Sequence, residues 1–258
     1  MLLKVTNKLN INFIQKYSNA FNIVNPLKHY DQTQLNLLNE PCILVNEKDE
    51  IIGEASKKEC HLIDKMKSNK HGMLHRAFSV FLFDSNKRLL LQQRSLYKIT
   101  FPNHWTNSCC SHPLNTDSEK ETINDNIGIK RAARRRVAYE LGIPEAQIDL
   151  NHFNYLTRIQ YKANNIPYDG IFAENEIDYV LFLIGDYPIH FNANEIKSVR
   201  YFDQYELKEF INEEKDKNSG VLFTPWFKLI CDKFLFKWWA NIDQLESVKD
   251  HKTIYKLS

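Results

Sequence analysis

Four apolar segments in the first half of the chain have the pattern of β-strands. Residues 42–45 and 51–54 are separated by one polar turn, and residues 77–83 and 89–94 flank a second. Apolar runs of this length bounded by turn-forming residues are typical of antiparallel strand pairs. The sequence therefore predicts two β-hairpins.

Residues 125–141 have the period of a helix instead. Ala133, Val137 and Leu141 recur at helical spacing, so they lie on one face that can be buried. Gly142 follows the last apolar position and is a typical C-terminal stop. One buried face and one polar face are therefore expected for this helix.

The second half of the chain adds two strands and a terminal helix. Residues 153–161 alternate between apolar and more polar positions, residues 177–184 are almost continuously apolar, and a loop with Pro167 and Gly170 separates them. Thr224, with proline next to it, predicts the N-cap and first turn of the helix. Strands mixed with a few helices predict an α+β sandwich.

Composition and charge narrow the possible functions. The 258 residues include 34 Lys and Arg against 32 Asp and Glu, which is far from the basic excess of a dedicated nucleic-acid binder. No apolar run approaches the roughly 20 residues that a transmembrane helix needs. The five cysteines form no regular framework, which favours a reducing compartment over secretion.

The start of the chain differs from the rest. Residues 1–30 contain four lysines and no acidic residue. We expect residues 1–40 to be an extension and residues 41–258 to be one catalytic domain. The extension is either disordered and loosely docked or an organellar targeting segment, although targeting segments usually contain more Arg and Ser. A cytoplasmic location is expected, with peroxisomal, mitochondrial or plastid targeting as the alternative.

The most polar cluster of reactive residues is the segment 107–113, which places Cys109 and Cys110 just before His112. A structural zinc site would need a second Cys or His pair at short spacing, and none follows. A reactive thiol near a cation is the better interpretation, because positive neighbours lower the pKa of a thiol.

Carboxylates and imidazoles elsewhere suggest a metal site. Glu174 and Glu176 share one face if their segment is extended, where two like charges need a cation or a shared proton. The alternative is that they form the solvated edge of a strand. Together with His61, His75 and His112 they make a full ligand set for Zn²⁺ or Mn²⁺.

The helix at 125–141 also carries a group of cations. Arg136 precedes Glu140 by one turn, and the remaining cations are Lys130, Arg131, Arg134 and Arg135. This is either a solvated face or a phosphate-binding face. A diphosphate with Mg²⁺ bridging to Glu140 explains the acid among the cations. Lys57, Arg94 and Lys98 could contact the same anion.

Taken together, these motifs resemble the type I isopentenyl-diphosphate isomerases of the Nudix superfamily. The resemblance runs in family order over residues 40–255. The segments that carry it are 74–83 (LHRAFSVFLF), 90–94 (LLQQR), 106–113 (TNSCCSHP), 135–142 (RRVAYELG), 174–176 (ENE) and 224–227 (TPWF). It implies a Nudix-type α/β/α sandwich with a mixed central sheet.

The resemblance also implies roles for individual residues in the conversion of isopentenyl diphosphate to dimethylallyl diphosphate. Cys110 and Glu176 would be the acid/base pair, with Tyr161 beside them and Trp226 facing the substrate carbons. A first metal site, holding Zn²⁺ or Mn²⁺, and a diphosphate site with Mg²⁺ on Glu140 are also implied. The first site comprises His61, His75, His112, Glu174 and Glu176, and the diphosphate contacts comprise Lys57, Arg94, Lys98, Ser111 and Arg136.

The helix departs from the hydrolase pattern of the superfamily, Arg-Glu-x-x-Glu-Glu-x-Gly. Arg136 and Tyr139 stand where two of its three acids would be. Hydrolysis uses clustered carboxylates to hold metals and activate water, so their loss argues against a pyrophosphohydrolase. A noncatalytic phosphate- or nucleic-acid-binding Nudix module is the third hypothesis. We expect a monomer with a small-molecule substrate, no nucleic-acid partner and no membrane span.

Overall fold

One mixed β-sheet organises the part of the chain that the computed structural model describes, residues 30–166 and 170–257. Its ten strands are β1 (Pro41–Val45), β2 (Ile51–Ser56), β3 (His75–Phe83), β4 (Leu89–Arg94), β5 (Trp105–Thr106), β6 (Cys109–Ser111), β7 (Phe153–Ile166), β8 (Phe172–Ile184), β9 (Ile196–Phe202) and β10 (Ile254–Lys256). The main path is β10-β7-β8-β3-β1-β2. Strands β4 and β6 also pair with β3, and β5 and β9 pair with β4.

Eight α-helices are described in the same residues. They are α1 (Gln32–Leu37), α2 (Lys57–His61), α3 (Ile63–Ser68), α4 (Asp117–Lys120), α5 (Ile123–Leu141), α6 (Gln204–Glu213), α7 (Pro225–Ile230) and α8 (Phe236–Ala240). A π-helical turn, Cys231–Leu235, joins α7 to α8, and 3₁₀ turns cover Glu145–Gln147, Leu150–His152 and Ile242–Ser247. In this described part of the chain, no helix is long and apolar enough to cross a bilayer.

The sheet is covered on both faces, which explains why its central strands are apolar throughout. Along β3, Val80 and Leu82 pack with helix α5, whereas Phe81 and Phe83 pack with α7 and α8 on the other face. Successive side chains of a strand point to opposite faces, so both sets are buried. The predicted sandwich of helices around a mixed sheet is confirmed.

Both predicted hairpins form. Strand β1 pairs antiparallel with β2, and β3 pairs antiparallel with β4. Strands β7 and β8 also form as antiparallel neighbours, longer than predicted. The loop predicted between them includes residues 167–169, which lie outside the described residues, as do residues 1–29.

The predicted end of helix α5 is confirmed, but its predicted start at Asp125 is wrong. Gly142 ends the helix with a φ of 70° and donates to the Ala138 carbonyl at 3.0 Å. At the other end, Asn124, Asp125 and Asn126 all have positive φ, a region that Asn and Asp tolerate better than other side chains. The regular helix therefore starts after residue 126.

Helix α1 lies within the proposed N-terminal extension, residues 1–40. The domain boundary at residue 40 stays a prediction. Asp31 caps α1 by accepting from the backbone of Thr33 and Gln34, at 2.8 and 3.2 Å. Gln34, Leu37 and Leu38 line the pocket described below. The last ten residues of the proposed extension thus contribute to the domain.

Candidate active site

A pocket lies where the sheet meets helices α1, α2 and α7. It brings together residues that are distant in sequence. Every predicted site residue lines it except His75 and Glu140, which are buried beside the lining residues Glu176 and Arg136. The predicted lining residues are Lys57, His61, Arg94, Lys98, Cys110, Ser111, His112, Arg136, Tyr161, Glu174, Glu176 and Trp226.

The imidazoles cluster around Glu176. Strand β3 runs parallel to β8 with His75 opposite Glu176, so sheet register places these two side by side. His112 follows β6 and lies 2.8 Å from Glu176 Oε1 through Nε2, and His75 Nε2 lies 3.4 Å from the same oxygen. One ligand atom from each of His61, His75, His112 and Glu176 lies within 4.8 Å of all the others.

Local structure delivers His61 to this cluster. Helix α2 begins with a capping box in which Ser56 and Glu59 satisfy each other's backbone N–H groups. His61 is the last residue of the helix, and its Nδ1 contacts the Lys57 carbonyl at 2.6 Å. The capped helix therefore holds both Lys57 and His61 at the edge of the pocket.

The donor atoms fit a divalent cation. The Nδ1 atoms of His61 and His75 contact backbone carbonyls, which can only accept, so each Nδ1 carries the hydrogen and each Nε2 offers a lone pair. His75 Nε2 is buried without a hydrogen-bond partner. Glu174 Oε2 lies 2.9 Å from His61 Nε2 but lacks hydrogen-bond alignment. Nitrogen and carboxylate donors of this kind suit Zn²⁺ or Mn²⁺.

Burial rules out the alternative of a solvated strand edge for the two carboxylates. Glu174 and Glu176 are only 4% and 6% exposed. Burial opposes ionisation of Glu176, yet the hydrogen bond with His112 and the nearby His75 hold its pKa well below the usual range. Burial also lowers the pKa of His112 well below its usual range. Glu176 and His112 thus have the ionised and neutral forms that bind metals, whereas Glu174 raises the pKa of His61 despite its burial.

Cys110 and Glu176 both face the pocket, and each has a polar neighbour there. Tyr161 donates its hydroxyl hydrogen to Glu176 Oε2 at 2.5 Å. Arg94 Nη1 lies 3.9 Å from the Cys110 sulfur. Burial raises the pKa of Cys110 to about 12, with Arg94 acting in the opposite direction, so the expectation that nearby cations lower the pKa of this thiol is wrong. Cys109 points the other way and is fully buried in the core beside α5.

Aromatic side chains form one wall of the pocket. Trp226 is 5% exposed and packs edge-on against Phe101, with ring centroids 5.2 Å apart. The ring of Tyr161 lies 6.0 Å away, and the Arg94 guanidinium carbon lies 5.9 Å from the indole centroid. An apolar wall with a π face can accommodate a hydrocarbon and excludes water.

At the basic end of the pocket, the buried carboxylates of Glu140 and Glu195 form ion pairs with the cations. Arg136 Nη2 lies 2.7 Å from Glu140 Oε1 and 3.5 Å from Glu195 Oε2. Lys98 Nζ donates to Glu195 Oε2 at 2.5 Å, and Gln34 Nε2 donates to Glu195 Oε1 at 3.1 Å. Glu195 was missed in the sequence, because an acid that opens a strand is usually solvated. Here it is only 2% exposed.

The remaining cations of α5 do not face the pocket. Arg135 pairs with Glu119 at 2.8 Å, and Arg131 pairs with Glu121. Lys130 and Arg134 pair with Asp125 and Glu145. The expectation of one phosphate-binding helix face is therefore wrong for these cations, because Arg136 lines the pocket and they do not.

Comparison with known proteins identifies the family. Residues 73–227 match the NUDIX domain family. The chain is 52% identical over 229 residues to isopentenyl-diphosphate Delta-isomerase 1 of Mesocricetus auratus, covering 89% of this chain and 97% of the relative. It is 50% identical to the Mus musculus protein of the same name over the same shares. It is 47% identical to isopentenyl-diphosphate delta-isomerase of Schizosaccharomyces pombe, covering 86% of this chain and 93% of the relative. The chain therefore belongs to the isopentenyl-diphosphate Delta-isomerase family and contains a Nudix domain.

Proposed function

We propose that Cys110 and Glu176 are the acid/base pair with which this isopentenyl-diphosphate Delta-isomerase converts isopentenyl diphosphate to dimethylallyl diphosphate. The observation that carries the proposal is their convergence. The partly exposed Cys110 thiol and the Glu176 carboxylate, which accepts a hydrogen bond from Tyr161, come from different strands. Both face one pocket that has the Trp226 indole in its wall.

The reaction adds a proton to the terminal alkene carbon and removes one from the carbon on the other side of the cationic centre. One of Cys110 and Glu176 delivers the proton and the other accepts it, with the Tyr161 hydroxyl hydrogen-bonded to Glu176. The intermediate is a tertiary carbocation. A desolvated indole face such as that of Trp226 contributes roughly 2 kcal/mol or more to its stabilisation, and the apolar wall keeps water that would capture it away from the reacting carbons.

Two divalent ions fit the residues present. We assign Zn²⁺ or Mn²⁺ to His61, His75, His112, Glu174 and Glu176, and Mg²⁺ to Glu140 with the diphosphate. The first ion, when bound, supplies positive charge that favours the ionised form of Glu176. Glu140 Oε1 accepts two bonds from Arg136 and Oε2 accepts one from Gln92, which leaves an acceptor position for Mg²⁺.

The diphosphate group is used for binding and is not cleaved. Lys57, Arg94, Lys98, Ser111 and Arg136 are the proposed contacts, all of which line the pocket. Binding energy from this remote group positions an inert alkene between the acid and the base.

Neither alternative is favoured. A pyrophosphohydrolase would need acids where Arg136 and Tyr139 stand, and Arg136 is bonded to the remaining acid, Glu140. A noncatalytic nucleic-acid module would need free cations along α5, whereas Arg131 and Arg135 are paired with carboxylates.

We also propose that the protein acts as a cytoplasmic monomer without a nucleic-acid partner. All five cysteines are free, as is typical of proteins in a reducing compartment. Light scattering after gel filtration tests the monomer, since a dimer would contradict it.

The experiment that tests the function is incubation of purified protein and Mg²⁺ with isopentenyl diphosphate in D₂O. We expect deuterium in the allylic diphosphate product. Release of phosphate or diphosphate without isomerisation would contradict the proposal and favour a hydrolase.

A further inference from the structure

A chain of buried hydrogen bonds links the indole of Trp226 to the strand that carries Cys110. Trp226 Nε1 donates to Asn107 Oδ1 at 2.9 Å. Asn107 Nδ2 donates to the carbonyls of Cys109 and Val80, at 2.8 and 3.1 Å. Asn107 is fully buried and does not line the pocket.

The orientation of the Asn107 amide is set by its partners. An indole N–H can only donate and backbone carbonyls can only accept, so the oxygen must face Trp226 and the nitrogen must face Cys109 and Val80. Thr106 Oγ1 also donates to Asn107 Oδ1, at 2.9 Å. Both hydrogens and both acceptor positions of the amide are thus used. No other side chain of this size has both two donor hydrogens and an oxygen that accepts two hydrogen bonds.

The network continues to Thr224, the residue just before helix α7. Thr224 occupies the predicted N-cap position, but its hydroxyl makes no cap hydrogen bond. It lies 2.8 Å from Thr106 Oγ1, and because the single Thr106 hydrogen goes to Asn107, Thr224 must donate. Thr224 N also donates to the Trp105 carbonyl at 3.0 Å. The predicted N-cap position of Thr224 before a first-turn proline is therefore confirmed, but its hydroxyl docks α7 onto β5 and does not cap the helix.

We propose that Asn107 is a positioning residue that holds the Trp226 indole in register with the Cys110 thiol. The proposal rests on the function proposed above, in which both groups face the same hydrocarbon. Trp226 and Asn107 are 119 positions apart in the chain. Apolar packing alone would let the indole rotate or slide, whereas one amide bonded to both elements fixes their relative position.

The first test is a double-mutant cycle between Asn107→Ala and Trp226→Phe. Asn107→Ala should lower kcat about 10- to 100-fold, the fold-change expected for loss of a buried hydrogen-bond set. The KM for isopentenyl diphosphate should change less than about threefold, because the diphosphate contacts are elsewhere. In the Trp226→Phe background, which lacks the indole N–H, the same substitution should have a markedly smaller effect on kcat. Equal effects in both backgrounds would overturn the proposal.

The second measurement is independent of turnover. In protein with ¹⁵N-labelled tryptophan, the indole signal that disappears in Trp226→Phe belongs to Trp226. In Asn107→Ala this signal should move and its hydrogen should exchange faster. Trp239, whose Nε1 donates to the Lys87 carbonyl at 2.8 Å, should keep its signal. An unchanged Trp226 signal would contradict the assigned contact, even if the enzyme proved to have another activity.

Ser108→Ala is the matched control. Ser108 is also fully buried, donates to the Leu90 carbonyl at 2.6 Å and accepts from Leu82 N at 2.7 Å, but does not contact Trp226. We expect a similar loss of Tm with kcat within about threefold of wild type and an unchanged Trp226 signal. If Ser108→Ala lost as much kcat as Asn107→Ala at the same Tm, Asn107 would act only through the stability of the fold.

Asn107→Asp keeps the test decisive if Asn107→Ala does not fold. It retains the oxygen facing Trp226 and removes both donors toward Cys109 and Val80. We expect the Trp226 signal to be retained and kcat to fall. Wild-type kcat in this variant would overturn the link to the Cys110 strand. Failure of wild-type protein to isomerise the substrate would instead reject the proposed function.

Discussion

Replacing Cys109 and Cys110 one at a time separates a catalytic thiol from a buried one. The two residues are adjacent on β6, so their side chains point to opposite faces of the sheet. Cys110 is partly exposed and lines the pocket, whereas Cys109 is 0% exposed in the core beside α5. Cys110→Ala removes a proton-transfer group, and Cys109→Ala removes only core volume.

The two substitutions should differ both in size and in the property that changes. Loss of a positioned acid or base typically lowers the rate 10²- to 10⁴-fold, so we expect Cys110→Ala to raise the activation free energy by about 3–5 kcal/mol. Cys110→Ser should do the same, because a hydroxyl is a far weaker acid than a thiol. Cys109→Ala should lower the free energy of unfolding by about 1 kcal/mol, as loss of one buried heavy atom does, and leave kcat within about threefold.

Product formation from labelled isopentenyl diphosphate measures the rates, and thermal unfolding measures the stability. Circular dichroism confirms that each variant is folded. Because burial raises the pKa of Cys110 to about 12, iodoacetamide should inactivate the wild type faster as the pH rises. Bound substrate should slow the inactivation, and peptide mapping should place the adduct on Cys110. An inactive Cys109→Ala together with a Cys110→Ala of normal rate would refute the assignment.

Four further substitutions test other parts of the site. Glu176→Gln should lower kcat by about 10³-fold or more in a folded protein, because an amide cannot exchange the proton; near-normal turnover would reject its role. His75→Ala should reduce bound Zn²⁺ or Mn²⁺, measured by elemental analysis, by 10-fold or more at limiting metal, and unchanged content would remove His75 from the site. Trp226→Phe should retain more activity than Trp226→Leu, because only Phe keeps a π face; equal rates would mean that the indole acts through packing. Glu195→Gln should raise KM roughly tenfold with a smaller change in kcat, because Lys98 loses its charged partner, and an unchanged KM would show that Glu195 does not orient the diphosphate contacts.

Features that depend on neighbouring residues could be predicted from the chain before folding. Polar turns between apolar runs predicted both hairpins, and Gly142 correctly predicted the end of α5. The motif at 106–113 singled out Cys110 and His112, which both line the pocket. These features are local because turn chemistry, side-chain period and helix ends depend on residues a few positions apart.

Which distant residues come into contact depends on the folded chain. The parallel register of β3 and β8 placed His75 beside Glu176, a pairing that no local pattern contains. Burial makes Glu195, which the sequence analysis did not single out, the partner of Lys98. Burial also places the Thr224 hydroxyl against Thr106 of β5, where it forms a hydrogen bond and does not cap α7. The physical reason is the same in each case. A buried polar group must find a partner wherever the packed fold brings one within reach, and its position in the sequence does not say where that will be.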